Sequence, residues 1–407
     1  MAACPSSLAV PTLAQPWRLS RQTSLWLHAL ILLTFMAASS APTPLYSLYR
    51  ESWEFSAATL TVVFGVYAIS LLLALLVLGS MSDYIGRRPV IVGALVLNIM
   101  AMVLFLMADT VSMLIAARLL QGVATGMATS ALAAGLMDSD RLRSPLINSV
   151  APMVGLALGA LGTSILVQFA PAPMRLVFIL LIVAMSGLAI AALLLPELSS
   201  RRNGIWQALR PTVSVPRDAW RVLLLIAPLD VAAWALGGFY FSLGPTLAAH
   251  VTGQHAPVVG GLLVFTLTIT AAVSVTLLRT WAPERMLVFG ALSLMSGVAI
   301  TLGGVQAGSV LLFFLGTSIA GIGFGLGFLG ALRTLLPVAQ PHERAGLMAA
   351  FYIMSYLAFC VPAILAGIAT GFMGLEPVAI YYGAALIALA SIALIGMGFR
   401  SHRRTQA

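Results

Sequence analysis

The sequence predicts an all-α membrane protein with twelve transmembrane helices in two pseudo-symmetric six-helix bundles. The first observation is composition: 60% of the 407 residues are hydrophobic and only 8% are charged. A soluble domain carries about 25% charged residues. The second is that apolar runs of about 20 residues, long enough to cross a bilayer, recur along nearly the whole chain. The third is a polar loop that divides these runs six and six.

The runs are long and unbroken, which excludes the short alternating segments of a transmembrane β-barrel. We therefore predict helices α1 to α12 at 24–46, 57–79, 90–108, 111–137, 146–169, 174–195, 221–247, 257–279, 286–304, 309–332, 345–370 and 376–398. The corresponding domains are an N-terminal tail at 1–23, a first bundle at 24–195, a central loop at 196–220, a second bundle at 221–398 and a C-terminal tail at 399–407. The central loop forms either a short interfacial helix around Trp206 or a flexible linker.

The basic residues predict the orientation. All 21 are arginines, and only Arg50 and Arg175 fall in outside loops when the N-terminus is placed inside. Because basic residues concentrate in cytoplasmic loops, we predict a bacterial inner-membrane protein with both termini in the cytoplasm. The first apolar run has no cleavage site before a polar mature domain, so we expect it to remain as a helix. The arginines are spread over loops rather than one face, which argues against nucleic-acid binding.

The two halves of the chain contain similar segments at corresponding positions. Two pairs of segments align: RRPVIVGAL at 87–95 with ERMLVFGAL at 284–292, and RLLQGVATG at 118–126 with TSIAGIGFG at 317–325. In the second pair Gly122 falls on Gly321, and Arg118 falls on Thr317. Two six-helix halves of like topology are typical of transporters that rock about a site at the midplane.

The loop between α2 and α3 carries a polar pattern made of Gly79, Asp83, Gly86, Arg87 and Arg88. Here the chain resembles the major facilitator superfamily, whose signature in this loop is Gly-x-x-x-Asp-x-x-Gly-Arg-Arg/Lys. The resemblance covers about residues 24–398. It implies that the loop is a gate, with Asp83 meeting the positive N-terminus of α11 and so forming a latch that holds the halves together on the cytoplasmic side while the outward face is open.

The two arginines of this loop are within reach of acids after α4. We expect Arg87 and Arg88 to reach Asp138 and Asp140, or lipid phosphates. The alternative is that the two arginines only anchor the topology of the loop.

Two further family patterns occur in the first half. In α4, Arg-x-x-Gln-Gly appears as Arg118, Gln121 and Gly122. In α5 a partial match to the glycine pattern of drug–proton antiporters favours export, while ordinary small-residue packing is the alternative. The glycines of that partial match are Gly155, Gly159 and Gly162.

Two charged residues, Arg118 in α4 and Asp230 in α7, stand well inside apolar runs. Such a charge costs ~2.5–3.5 kcal/mol on insertion scales and usually lines a watery cavity. In the family, helices 1, 4, 7 and 10 line the central cavity, so we expect the two residues to face each other there. Asp230 is the candidate proton-coupling carboxylate, and the alternative is a static ion pair. His28 in α1 is a second titratable candidate, or a histidine held by a hydrogen bond.

The predicted function is secondary active transport, as proton-coupled export of a drug, a sugar-like compound or a metabolite. Candidate substrate-cavity residues are Tyr67, Trp234, Phe239 and Tyr240, with packing as the alternative role. The competing functions are a proton-coupled uptake symporter and a non-transporting membrane sensor. We see no catalytic motif and no ATP-binding loop, so we expect no enzyme activity. We expect a monomer that meets a small-molecule substrate, protons and membrane lipid, without cofactor or metal.

Overall fold

The computed structural model describes residues 18–197, 204, 206, 209–254 and 256–405, and all twelve predicted spans are helices within it. Eleven described helices are long and apolar enough to cross a membrane, and α6 is shorter at 17 residues. The chain is thus a multi-pass membrane protein of the predicted fold. The helices α1 to α12 are Arg21–Ser40, Ala57–Leu78, Arg87–Leu106, Val111–Ser139, Ser144–Phe169, Leu176–Ala192, Arg217–Ser242, Pro257–Leu278, Pro283–Ala307, Val310–Leu335, Arg344–Met373 and Leu375–Thr405.

The largest boundary errors are at α12, which was predicted to end at 398 and continues to Thr405, and at α1 and α7, which the sequence predicted to run to 46 and 247. The helix α1 ends at Ser40, just before Pro42 and Pro44, because proline lacks the backbone N–H that would continue the hydrogen-bond ladder. A short helix, Tyr46–Trp53, follows this break. Helix α7 likewise ends at Ser242, and Gly244–Thr252 forms a separate short helix. Most of the predicted interfacial helix around Trp206 lies outside the described residues.

Each half of the chain has its own hydrophobic core. One cluster of buried residues draws mainly on α1 to α6, and a second draws on α7 to α12. Phe241, Val264 and Ala363 of the second half join the first core. The exact domain boundaries stay a prediction.

The sequence repeat has a counterpart in the packing of the helices. A Cβ atom on Gly122 would lie 1.8 Å from the Ser70 hydroxyl oxygen, so α4 packs closely on α2. A Cβ atom on Gly321 would lie 2.0 Å from the Thr270 hydroxyl oxygen, so α10 packs in the same way on α8. Only glycine allows helix backbones to approach so closely.

The helices alternate in direction, which gives the bundle two distinct ends. We call the end that holds Arg21, Arg87, Arg143, Arg217 and Arg279 the arginine-rich end, and the other the opposite end. The short helices Tyr46–Trp53 and Gly244–Thr252 lie at the opposite end because they follow α1 and α7.

The two halves contact each other closely at the opposite end. Along α2 and α11, a Cβ atom on Gly367 would lie 2.1 Å from the Thr61 hydroxyl oxygen. The rings of Phe64 and Phe359 lie 4.9 Å apart. At the arginine-rich end, the nearest neighbours of Gly79 belong to its own half. The described contacts between α2 and α11 therefore close the opposite end.

Candidate functional site

Arg118 is fully buried, with 1% of its surface exposed, and polar atoms of its own half surround it. Its Nε and Nη2 atoms donate to the Tyr46 hydroxyl at 2.8 and 2.5 Å. Its Nη1 atom donates to the Ser39 carbonyl at 3.0 Å and to Oε1 of Gln121 at 2.7 Å. The break after α1 makes this possible, because it turns the Tyr46–Trp53 helix back over α4.

Three aromatic rings complete the surroundings of the Arg118 guanidinium. Its central carbon lies 5.4, 5.2 and 5.6 Å from the ring centroids of Tyr46, Tyr67 and Phe105. An aromatic face attracts a cation at this distance. Neutral acceptors and rings therefore hold the charge, and the ion pairs among the described residues do not include it.

Arg118 and Asp230 do not form an ion pair among the described residues, so the alternative static pair is absent in this state, and the expectation that both face the central cavity stays a prediction. At 1.5 Å per residue, Arg118 lies about 10 Å along α4 from the opposite end. Asp230 lies about 20 Å along α7 from the arginine-rich end, near the middle of that helix. Each residue makes its hydrogen bonds with neighbours of its own half, and the difference in depth comes from their positions along the two helices.

Asp230 is fully buried against α11. Its Oδ2 atom accepts a hydrogen bond of 2.7 Å from the Ser355 hydroxyl, and its Oδ1 atom has no partner among the described residues. Trp234, one turn further along α7, is close enough to influence the carboxylate, but its indole Nε1 atom has no partner of good hydrogen-bond geometry among the described residues. Tyr352 is also within electrostatic reach. Asp230 and Trp234 thus each bring one buried polar atom without a geometric partner to this part of the interior.

Aromatic side chains pack around Trp234, the neighbour of Asp230. The Trp234 ring lies 4.9 Å from Tyr356 and 5.7 Å from both Phe328 and Phe359. Tyr356 is in turn within electrostatic reach of Tyr67, the tyrosine whose ring stacks on Arg118. Aromatic residues of both halves are therefore found in this region, Tyr356 on α11 and Tyr67 on α2.

The four predicted cavity residues divide into two groups. Trp234 lies beside Asp230 and packs on Tyr356, and Tyr67 donates its hydroxyl to the Ser39 side chain at 2.8 Å. Phe239 and Tyr240 instead pack inside the second half, around a small void of about 30 Å³. The Tyr240 hydroxyl lies 3.2 Å from that of Thr317. Both belong to the hydrophobic core of the second half, and a role in binding substrate stays a prediction.

His28 is buried beside α4 rather than beside Asp230. A Cβ atom on Gly135 would lie 2.6 Å from the imidazole Nε2 atom, so the ring fills the space that this glycine leaves. Its Nδ1 atom has no hydrogen-bond partner among the described residues. A role of His28 in proton coupling stays a prediction.

The polar pattern between α2 and α3 forms a compact network at the arginine-rich end. Arg87 donates to Asp83 at 2.5 Å, to Asp138 at 3.3 Å and to the Ser82 hydroxyl at 2.6 Å. The predicted contact of Arg87 with Asp138 is thus present. Arg88 instead donates to the Leu193 carbonyl at 3.2 Å.

The predicted latch from this loop to α11 is not formed in this state. Asp83 pairs with Arg87, and Gly346 near the start of α11 packs on Ser214. The prediction concerned the state whose opposite end is open, so it stays a prediction. Asp140 bonds Arg143 rather than the arginines of the α2–α3 loop.

Glu197 is a member of this network that the sequence reasoning missed. Its carboxylate accepts the backbone N–H groups of Arg87 and Arg88 at 2.8 and 3.0 Å, and so caps the N-terminus of α3. Gly86 has a φ angle of 107°, and a Cβ atom there would lie 2.5 Å from this carboxylate. Glycine is thus required both for the backbone conformation and for the close approach. The available signal was an acid directly after α6.

The glycines of α5 serve different neighbours. Cβ atoms on Gly155 and Gly159 would lie 2.4 and 2.1 Å from carbonyl oxygens of α1, whereas Gly162 has nothing within 4 Å. Two of the three therefore allow α1 and α5 to pack closely. The contact of α5 with α8 uses another glycine, Gly261, against Ser164.

Comparison with protein-family models assigns the chain to one family. The family model described as Major Facilitator Superfamily matches residues 28–361. The chain is similar to multidrug resistance protein MdtL of Escherichia coli (strain K12 / DH10B) and of Shigella flexneri serotype 5b (strain 8401). Identity is 32% over 152 residues, or 36% of this chain, and the match spans 38% of the length of these curated relatives.

Two solved structures share the fold. One is described as the nucleoside transporter NupG, with a TM-score of 0.67 and 14% identity, over 92% of this chain and 98% of that one. The other is described as a bacterial homologue of the human lysosomal transporter Spinster in an inward-facing and unoccupied conformation. It has a TM-score of 0.71 and 14% identity, over 94% of this chain and 98% of that one. At this identity the likeness shows the fold alone.

Proposed function

Because the chain belongs to the Major Facilitator Superfamily and is a membrane transporter of that fold, we propose that it exports a small molecule in exchange for protons. The observation that carries the proposal is Asp230, a fully buried acid whose Oδ1 atom has no partner among the described residues. An ionisable residue inside a membrane-spanning helix is costly and usually functional. It can hold a proton in one state and release it when water reaches it in the other.

The polar groups that hold the Arg118 guanidinium, which we call the Arg118 cage, have a different role in this proposal. The guanidinium is held by Tyr46, Ser39 and Gln121 of its own half. We infer that the cage fixes the α1–α4 contact and the short helix that follows α1. Proton coupling then rests on Asp230 and its hydrogen bond from Ser355, which joins α7 to α11.

Export and orientation have weaker support. Export is favoured by the partial antiporter pattern in α5 and by relatives whose names describe multidrug resistance. The arginine-rich end is proposed to face the bacterial cytoplasm, because basic residues accumulate on that side of a membrane. With the opposite end closed by the α2–α11 contacts, the described state is then inward-facing.

A substrate must first be found. We would screen nucleosides, sugars and amphipathic aromatic drugs for a rise in the melting temperature of the purified protein. Hits would then be tested in proteoliposomes of known orientation, with a pH-sensitive dye reporting proton movement. Export predicts proton movement opposite to the substrate, whereas movement in the same direction would identify an uptake symporter.

Asp230→Asn tests the coupling role. We expect it to abolish uphill transport and substrate-driven proton flux while substrate-for-substrate exchange continues. Asp218→Asn is the matched control, because Asp218 is an exposed acid in the first turn of the same helix. Uphill transport that survives in Asp230→Asn would contradict the proposal.

A further inference from the structure

A cleft lies between the two halves at the arginine-rich end, and Asp230 is not among its lining residues. It has a volume of about 370 Å³ and is lined by the first turns of α5 and by the last turns of α8 and α10. The first half contributes Pro145 and Ser149 to the lining. The second half contributes Val275, Leu329 and Arg333. The loop residue Leu142, which is 93% exposed, lies at its edge.

The charge in this cleft is entirely positive. Arg279 and Arg333 line it, and none of the lining residues is acidic. Arg333 uses Nη1 to donate to the carbonyl oxygens of Arg279 and Trp281, at 2.6 and 3.1 Å, which caps the C-terminus of α8. The Arg279 side chain is exposed and makes no hydrogen bond or ion pair with any residue that the structure describes.

The rest of the lining is largely apolar. Leu146, Val275 and Leu329 form the wall beside the two guanidinium groups, with Ser149 and Thr280 at its polar margin. The exposed Leu142 and Leu277 flank this region at 93% and 70% exposure, as expected for side chains that face acyl chains. The cleft is therefore amphipathic, with the positive charge at the end of the helices and the apolar wall toward the bilayer interior.

We propose that this cleft binds one anionic phospholipid, with its phosphate on Arg279 and Arg333 and an acyl chain along Leu146 and Leu329. Basic pockets between transmembrane helices recognise anionic headgroups through this combination of charge and apolar surface. A neutral or zwitterionic lipid offers no net charge to the two guanidinium groups. Because α5 and α8 belong to different halves, the lipid bridges them.

The test is a titration of the purified full-length protein with phosphatidylglycerol or phosphatidylcholine, with lipid-bound species counted by native mass spectrometry. We expect the unmodified protein to bind phosphatidylglycerol more tightly. Arg279→Gln should weaken phosphatidylglycerol binding about fivefold, the effect of one basic residue near an anionic lipid surface. Arg279→Lys should retain most of the binding because it keeps the charge.

Two further variants distinguish the cleft from general surface charge. Arg221→Gln removes an exposed arginine at the same end but outside the cleft, and should leave binding unchanged. Ser149→Trp fills the cleft without changing its charge, and should weaken binding as strongly as Arg279→Gln. Equal binding of the two lipids, equal loss in Arg221→Gln and Arg279→Gln, or full competition by inorganic phosphate at the lipid's concentration would overturn the proposal. None of these measurements depends on transport, so they stand apart from the exchange of substrate for protons.

Discussion

Replacing Tyr46 with phenylalanine would remove one hydroxyl from the Arg118 cage and leave the ring in place. That hydroxyl accepts hydrogen bonds from two guanidinium nitrogens, Nε and Nη2. The guanidinium is fully buried, so water cannot replace the lost acceptor. The stacking of the ring on the cation remains, because phenylalanine keeps the aromatic face.

The expected loss in the free energy of unfolding has an upper and a lower limit. Hydrogen bonds to charged groups contribute about 1.5–3 kcal/mol in soluble proteins. Between membrane helices, hydrogen bonds average about 0.6 kcal/mol. Tyr46→Phe removes two hydrogen bonds to one oxygen and leaves a buried cation short of acceptors. We therefore expect the free energy of unfolding to fall by about 2 kcal/mol.

The chain supplies a matched control, Tyr49→Phe. Tyr49 lies one turn further along the same short helix and is as buried as Tyr46, but its hydroxyl has no hydrogen-bond partner among the described residues. We expect Tyr49→Phe to change the free energy of unfolding by less than about 0.5 kcal/mol, as is usual where no specific interaction is lost. Both variants would be unfolded in mixed micelles of a mild detergent and sodium dodecyl sulfate, with tryptophan fluorescence as the readout.

A double-mutant cycle with Arg118→Met separates the pair from its surroundings. If the hydroxyl acts through Arg118, Tyr46→Phe should cost little once Arg118→Met is present, which gives a coupling energy of about 1–2 kcal/mol. Equal free energies of unfolding for Tyr46→Phe and Tyr49→Phe, or a coupling energy near zero, would refute the cage as the reason why Arg118 is tolerated.

Two further predictions concern the rest of the bundle. Glu197→Gln should destabilise the protein by about 1 kcal/mol, because it removes the charge that caps the N-terminus of α3. Chemical unfolding would measure this, and Glu343→Gln, a half-buried acid at the same end whose carboxylate accepts one backbone N–H, that of Gln340, should have a smaller effect. Gly122→Ala should cost about 1–3 kcal/mol through overpacking against α2, whereas Gly162→Ala, with nothing within 4 Å, should be neutral or stabilising. Similar melting temperatures for the two alanine variants would contradict the packing argument.

The twelve helices could be predicted because the bilayer imposes a local rule. Every backbone polar group inside lipid must be satisfied within the helix, so hydropathy alone finds each span to within a few residues. The cause of the break after Ser40 is also local, because it lies in Pro42 and Pro44. The sequence does not predict, however, that the chain turns and begins a new short helix. That geometry depends on the hydrogen bond between Tyr46 and Arg118, which are 72 positions apart.

The site was less predictable for the same reason. A charged residue inside an apolar run is easy to recognise, and this identified Arg118 and Asp230. It did not identify their hydrogen-bond partners. Ser355 is 125 positions from Asp230, and a serine in an apolar helix is common. The usable signal was the spacing of Tyr352, Ser355, Tyr356 and Phe359, which repeats every three or four residues and so forms one polar and aromatic face of α11.

The distribution of polar contacts bears on how the halves can move. The networks around Arg118, Arg87 and Asp230 each stay within one half of the chain. The contacts that close the opposite end join small or apolar groups instead, such as Gly367 with Thr61 and the rings of Phe64 and Phe359. Dispersion contacts of this kind are individually weak and can be exchanged for contacts with lipid or substrate. Each half can therefore keep its own polar contacts while the two halves rock against each other, and this motion need not break a buried ion pair.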